Sequence, residues 1–288
     1  LFDFFLNVDN STFSELYLNS NQEYLIKSSS NNLQVLSCQF NHINSGSNAI
    51  CATKGDSNVT IDDSNFTNCL SVVHLNEQAE QVTIKNCNFI DCKSDPVLYI
   101  NASMYFAYNC CISFATKANV VGMKIDNSNN SEINLCTFIN TGNSAIESLY
   151  DLNSSLLSVS STTITGCSQS IHSVHTSNKI VNFLNNSIIN EDANEGSRGL
   201  FVDTIADVNI NECTFINCNN PKGNNNAGGA ITYLNSKANP TESITISNTV
   251  FTGCIYRCGA IFIQARLEIP QFTNVVISNS TCGYSIII

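Results

Sequence analysis

Apolar residues return along this chain in one four-position signature about every 25 residues, a period within the range of solenoid repeats. The anchor of each repeat is the apolar residue of a Phe-x-Asn-like triplet: Phe13, Phe40, Phe66, Phe89, Ile112, Phe138, Ile164, Ile188, Phe215, Phe251 and Ile277. Seven and five residues before it stand apolar pairs such as Leu33/Val35, Val59/Ile61, Val82/Ile84, Leu157/Val159, Val208/Ile210 and Ile244/Ile246. Two before it comes a small or sulfur residue: Cys38, Ser64, Cys87, Cys110, Cys136, Thr162, Cys213 or Thr249. Apolar and polar positions alternate within each group, which is the period of a strand. One register kept through eleven anchors predicts parallel strands stacked with like residue above like.

Many asparagines and glycines fall two residues after the anchor: Asn68, Asn140, Gly166, Asn190, Asn217, Gly253 and Asn279, with Asp91 in the same column. These residues tolerate left-handed backbone, so the column reads as a turn. A third strand is marked by Asn48-Ala49-Ile50, Ser144-Ala145-Ile146, Gly228-Gly229-Ala230-Ile231 and Gly259-Ala260-Ile261. The expected fold is all-β: a right-handed, single-stranded parallel β-helix of about eleven coils with three strands per coil, since parallel crossovers are overwhelmingly right-handed. Residues 1–288 are expected to form one domain. Stretches 191–199 and 219–228 read as loops projecting side by side, and 118–131 as an enlargement of the fifth coil.

Composition narrows the function more than it names it. A formal charge of −11 with only twelve Lys and Arg argues against nucleic acid and anionic membrane surfaces as partners. No apolar run is long enough to span a bilayer. Forty-four asparagines would suit a disordered tract, but 43% of the chain is hydrophobic and periodically placed, so order is expected. The chain opens without methionine, which suggests a removed leader or an excerpt of a longer polypeptide. It closes on Ser285-Ile286-Ile287-Ile288 with no recognisable cap at either end, which predicts further coils or copies stacking end to end into a filament.

The paired elements Gly228-Gly229-Ala230-Ile231 and Phe66-Thr67-Asn68-Cys69, with Cys258-Gly259-Ala260-Ile261, Phe138-Ile139-Asn140-Thr141 and Phe215-Ile216-Asn217-Cys218, carry a family resemblance. The chain resembles the polymorphic membrane protein (Pmp)-like β-helix repeats of bacterial autotransporter passengers and protist surface proteins. That resemblance covers nearly the whole chain. It implies a secreted or surface-displayed protein, extracellular or on the cell surface, acting in adhesion.

Fourteen cysteines would suit a disulfide framework or a zinc site. Their columns point instead to stacked buried thiols: Cys38, Cys87, Cys110, Cys136 and Cys213 before the anchor, and Cys69, Cys92, Cys167, Cys218 and Cys254 after the turn. Cys111, next to inward Cys110, should face outward and react first, with Cys258 and Cys282 also outside the columns. The short-spaced pairs Cys254/Cys258, Cys87/Cys92, Cys213/Cys218 and His172/His175 do not make a convincing metal site, and the histidines read as decoration on a solvated third strand. No phosphate loop or dinucleotide fingerprint occurs, and no cofactor is expected.

A carbohydrate-active β-helix would need neighbouring carboxylates near a cation. The candidates are Glu191, Asp192, Glu195, Arg198, Asp203 and Asp207 around the projecting loops, with Asp62/Asp63 and Glu147/Asp151 further away. No carboxylate column forms, because the position four before the anchor reads Asp9, Leu36, Asp62, Lys85, Tyr108, Asn134. Asn-x-Ser/Thr sequons begin at Asn10, Asn58, Asn65, Asn101, Asn129, Asn153, Asn185 and Asn279, glycosylation candidates in a secreted chain. The leading expectation is a non-catalytic surface β-helix for adhesion, coating or filament structure. Its partners would be glycans or proteins of a host or neighbouring cell, or further copies of itself. The alternative is a polysaccharide lyase or glycoside hydrolase working near the 191–207 loop through Asp203, Asp207, Arg198 and Glu191.

Overall fold

The computed structural model describes residues 5–16, 24–43, 48–52, 57–70, 72–75, 78–149, 155–167, 172–190, 198–204, 206–219, 229–234, 243–254, 260–264, 270–280 and 286–287. They form strands, corners and turns, with no helix among them. A coil consists of three strands, for example Asn32–Leu36, Gln39–Asn41 and Asn48–Ala52. The next coil repeats them as Asn58–Asp62, Asn65–Thr67 and Val73–Leu75, each parallel to its predecessor. The protein is therefore a parallel β-solenoid with three faces, numbered first to third in chain order.

The second face is a sheet of eleven parallel strands, and every sequence anchor from Phe13 to Ile277 pairs with the next. The first and third faces join into one 21-stranded sheet because strand Leu98–Tyr108 runs straight through the corner between them. Its first part pairs with third-face Val73–Leu75 and Met123–Asp126, its second with first-face Ala79–Lys85 and Asn130–Asn134. Stretch 118–131 completes the fifth coil and leads into the sixth. It resolves into strand Met123–Asp126, a left-handed corner at Asn127 and the start of Asn130–Asn134.

The core is built from columns. Phe40, Phe66 and Phe89 are fully buried, with ring centroids 4.5 and 5.0 Å apart and nearly parallel planes. Each such ring contributes roughly 1.5–3 kcal/mol through burial. Where one coil puts a large side chain inward, its neighbour gives way: buried Tyr105 lies opposite buried Ser131, and the Tyr105 hydroxyl reaches Met123 Sδ at 3.4 Å. A Gly at the start of a third strand answers to close approach. A Cβ on Gly199 would lie 2.3 Å from the Ala230 carbonyl oxygen and 2.8 Å from the Phe215 ring.

The turn column is left-handed at Asn68, Asp91, Asn140, Gly166, Asn217, Gly253 and Asn279. Asn190 is the exception: its backbone is not left-handed, and its buried side chain donates to the Asn217 carbonyl at 3.4 Å. A second left-handed column stands three residues before the anchor, in every coil: Asn10, Ser37, Asp63, Asn86, Asn109, Leu135, Ser161, Asn185, Glu212, Asn248 and Asn274. Asparagine dominates there because its short polar side chain eases that conformation. It also ladders between coils, as from Asn109 to Asn86 at 3.0 Å and from Asn274 to Asn248 at 3.0 Å.

The column two before the anchor does more than fill space. At most corners its side chain donates to the carbonyl two residues back: Ser64 to Asp62 at 2.9 Å, Cys87 to Lys85 at 3.0 Å, Thr249 to Ser247 at 2.7 Å. The same atom often accepts the backbone N–H of the preceding coil, as Ser64 Oγ does from Cys38 at 3.1 Å and Thr249 Oγ1 from Cys213 at 3.4 Å. From Cys38 to Thr249 the position holds a buried, hydrogen-bonding side chain, which explains why Cys, Ser, Thr and Asn share it, and Val275 in the last coil departs from the pattern.

Candidate functional site

The most varied chemistry stands on the third face. Inward residues Val73, Leu98, Met123, Ile146, Val174 and Leu200 form one core column, and the residue after each points outward. That outward column runs His74, Tyr99, Lys124, Glu147, His175, Phe201, one per coil. His74 stacks on Tyr99 with centroids 4.6 Å apart, and Lys124 Nζ lies 5.8 Å from the Tyr99 centroid on the following coil. Ring faces are thus covered along the rod and ring edges meet solvent. The Tyr99 phenol is pushed up to about 12, first by burial and then by its hydrogen bond to the Asp126 carboxylate.

Two coils on, His175 Nε2 meets Asp203 Oδ2 at 2.9 Å, and Phe201 presents its edge to the imidazole with centroids 5.0 Å apart. Strand Arg198–Val202 places Phe201 outward, and Asp203 follows at its end with its N–H bonded to the Thr176 carbonyl. The column continues as Thr232 and Phe262, both buried, so the open stretch of this face ends near Phe201. A carboxylate-buttressed imidazole can orient a proton or hold an anionic or hydroxyl-rich ligand.

Sequence candidates scatter around this pair. Asp203 belongs to it. Asp207 stands on the first face, where its carboxylate accepts from the Ser243 N–H at 2.8 Å and hydroxyl at 3.1 Å. Arg198 is buried in the inward register of its strand. Asp203 and Asp207 therefore serve different faces, which is a poor arrangement for the two-carboxylate chemistry considered above. Asp62 is bound by Lys85 Nζ at 2.8 Å and by Asn86 at 3.1 Å, and Asp63 is a corner residue. Glu191, Asp192, Glu195 and Asp151 lie outside the described residues, as do the bulk of loops 191–199 and 219–228, Cys258, Cys282 and the sequon at Asn153.

His175 stands outward on the third strand, where the sequence expectation placed it, and its engagement by Asp203 and Phe201 from the next coil is the addition of the structure. His74, Tyr99, Lys124 and Phe201 were missed. The signal was their place immediately after an inward aliphatic residue, once the third strands are aligned on that residue.

Cys38, Cys69, Cys87, Cys92, Cys110, Cys136, Cys167, Cys213, Cys218 and Cys254 are free and buried, and Cys111 is free and half-buried. Burial raises the Cys111 thiol, partly offset by a hydrogen bond with Ser113. Neighbouring-coil pairs Cys69/Cys92, Cys110/Cys136 and Cys218/Cys254 share thiol hydrogen bonds, so the second proton of each pair is held far above the ordinary range. Among the described residues no group of three or more His, Cys, Asp or Glu gathers in a way that could hold a metal ion. Among the described residues no helix is long and apolar enough to cross a membrane. Comparison with protein-family models, with curated proteins and with solved structures returned no match, so the site is read from its own chemistry.

Proposed function

We propose that the protein is a non-catalytic, extracellular or cell-surface β-solenoid that recognises a glycan or protein of another surface, in adhesion or coating. One observation carries this: the outward column on the third face changes chemistry at every coil, from His74 to Phe201. Stacking alone does not call for that, since the outward second-face columns repeat Thr, Ser and Ile over the same coils. A varied rank of groups held at fixed spacing on a rigid sheet is how a solenoid builds a recognition surface. The Pmp-like repeats support the reading, as do exposed sequons at Asn10, Asn58, Asn129, Asn185 and Asn279. Binding to arrayed glycans and to intact cells, compared between wild type and Lys124→Glu/His175→Ala, tests it. Loss of binding with unchanged thermal stability is expected; binding that survives both substitutions refutes the assignment to this face.

The His175–Asp203 contact favours a second reading, a carbohydrate-active enzyme using the imidazole as base. Turnover on a panel of acidic and neutral glycans, abolished by Asp203→Asn, would replace the first reading with this one.

A further inference from the structure

The two columns that flank the anchors on the second face carry no charge. On each of its eleven strands the two residues flanking the anchor point outward, and the register lines them into two columns. No Asp, Glu, Lys, Arg or His occurs in either column from Thr12 to Ser278, although the chain carries a formal charge of −11. The columns hold Thr, Ser, Asn, Gln, Cys, Ile and Val, and the face exposes apolar side chains: Ile90 is 40%, Val250 36% and Val276 54% accessible. Charge stands at its two borders, with Asp63 and Glu212 on one and Glu15, Asp91 and His42 on the other, and Lys117 follows near the end of strand Cys111–Ala118. The side chains are ordered from coil to coil, Asn88 donating to Asn65 at 2.7 Å and Thr252 meeting Ser278 at 3.1 Å.

We propose that this face is an interface between two copies of the chain, each contributing the same surface. A partner of opposite charge would have nothing to recognise here. Two acidic copies repel one another over their other faces, and this one lets them meet without bringing carboxylates into a dry contact. A parallel sheet whose outward columns hold uncharged β-branched and amide side chains, with no proline and no glycine, is a surface on which sheets interdigitate face to face. Eleven strands at about 4.8 Å and three residues of width at about 3.3 Å each give roughly 500 Å² per copy. The total of about 1,000 Å² is near the lower limit of specific interfaces, so the association is weak and reversible. This inference is independent of what the third face binds and stands if that reading falls.

Sedimentation equilibrium of the 288-residue chain, with mass-spectrometric mapping of alkylated cysteines, tests it. Cys111 is the reporter, since it lies in the outward column between Asn88 and Thr137 and is half-buried in a single copy. A monomer–dimer equilibrium is expected that strengthens as salt rises, because screening relieves the remaining repulsion. Cys111 alkylation should slow as protein concentration increases. Ile139→Glu/Thr163→Glu should weaken association at least tenfold, while Gln34→Glu, an equal change on the first face, should not. Three results would overturn the proposal: a monomer at every concentration and salt with constant Cys111 reactivity, association that salt weakens, or equal sensitivity to Gln34→Glu. Capture of a glycan by a monomer, lost in Ile139→Glu/Thr163→Glu, would assign the face to a foreign ligand instead.

Discussion

Buried Asn186 bridges two coils: its Oδ1 accepts the Thr162 N–H at 2.8 Å while its Nδ2 donates to the Val159 carbonyl at 2.7 Å. It occupies the column where other coils use Cys, Ser or Thr, and it satisfies both the donor and the acceptor exposed by the preceding corner. Asn186→Leu keeps the volume and strands both backbone groups in the core, so it should destabilise by about 2–4 kcal/mol. Asn186→Thr should cost less, because a hydroxyl can still serve one of them. Chemical denaturation of the two variants measures the difference, and equal losses would mean that the column only fills space.

The anchor column makes a separate claim about packing. Phe89 is fully buried and stacked on Phe66, whereas neighbouring Asn88 is exposed and bonded only along the surface to Asn65. Phe89→Ala should cost about 3–5 kcal/mol through lost burial and a residual cavity. Asn88→Ala should cost less than about 1 kcal/mol. Thermal unfolding of both decides it, and equal shifts would contradict the register.

Leu135 stands in the left-handed corner column with φ 55 and 45% of its surface accessible. Its side chain gains little from burial and its backbone is held where L-residues other than Asn are disfavoured. Leu135→Asn should therefore stabilise the protein by about 1 kcal/mol, and Asn109→Leu at the equivalent corner should destabilise it by a similar amount. The measurement is a denaturant midpoint at unchanged slope.

Tyr99 links stability to pH. Its folded phenol titrates at about 12, above the usual value of 10, so the folded state holds the proton more tightly than the unfolded chain. The resulting stabilisation is complete below about pH 10 and is lost as pH rises through about 12. Absorbance titration should show one late phenol that Tyr99→Phe removes. Asp126→Asn should bring that transition to lower pH, and no movement would mean that the carboxylate does not contribute.

Much of this protein is determined by its amino-acid sequence alone. The strand periods, the parallel register of the first and second faces and the anchors, buried from Phe40 to Phe251 and partly buried at Phe13 and Ile277, are all legible there, because like stacks on like and each coil restates the same constraint. The chemical role of the column at Cys38, Ser64 and Asn186 was not, since a buried thiol and a buried hydroxyl look like small fillers until the corner carbonyls they satisfy are seen. Nor was the pairing of His175 with Asp203. The connection from the turn to the third strand changes length from coil to coil, from Asn68 to Val73 in one and from Asn217 to Ile231 in another, so spacing from the anchor does not align the third face. Only the stacked coils bring His74, Tyr99, Lys124, Glu147, His175 and Phe201 into one column, because hydrogen bonding between third strands, not distance along the chain, sets which side chains become neighbours.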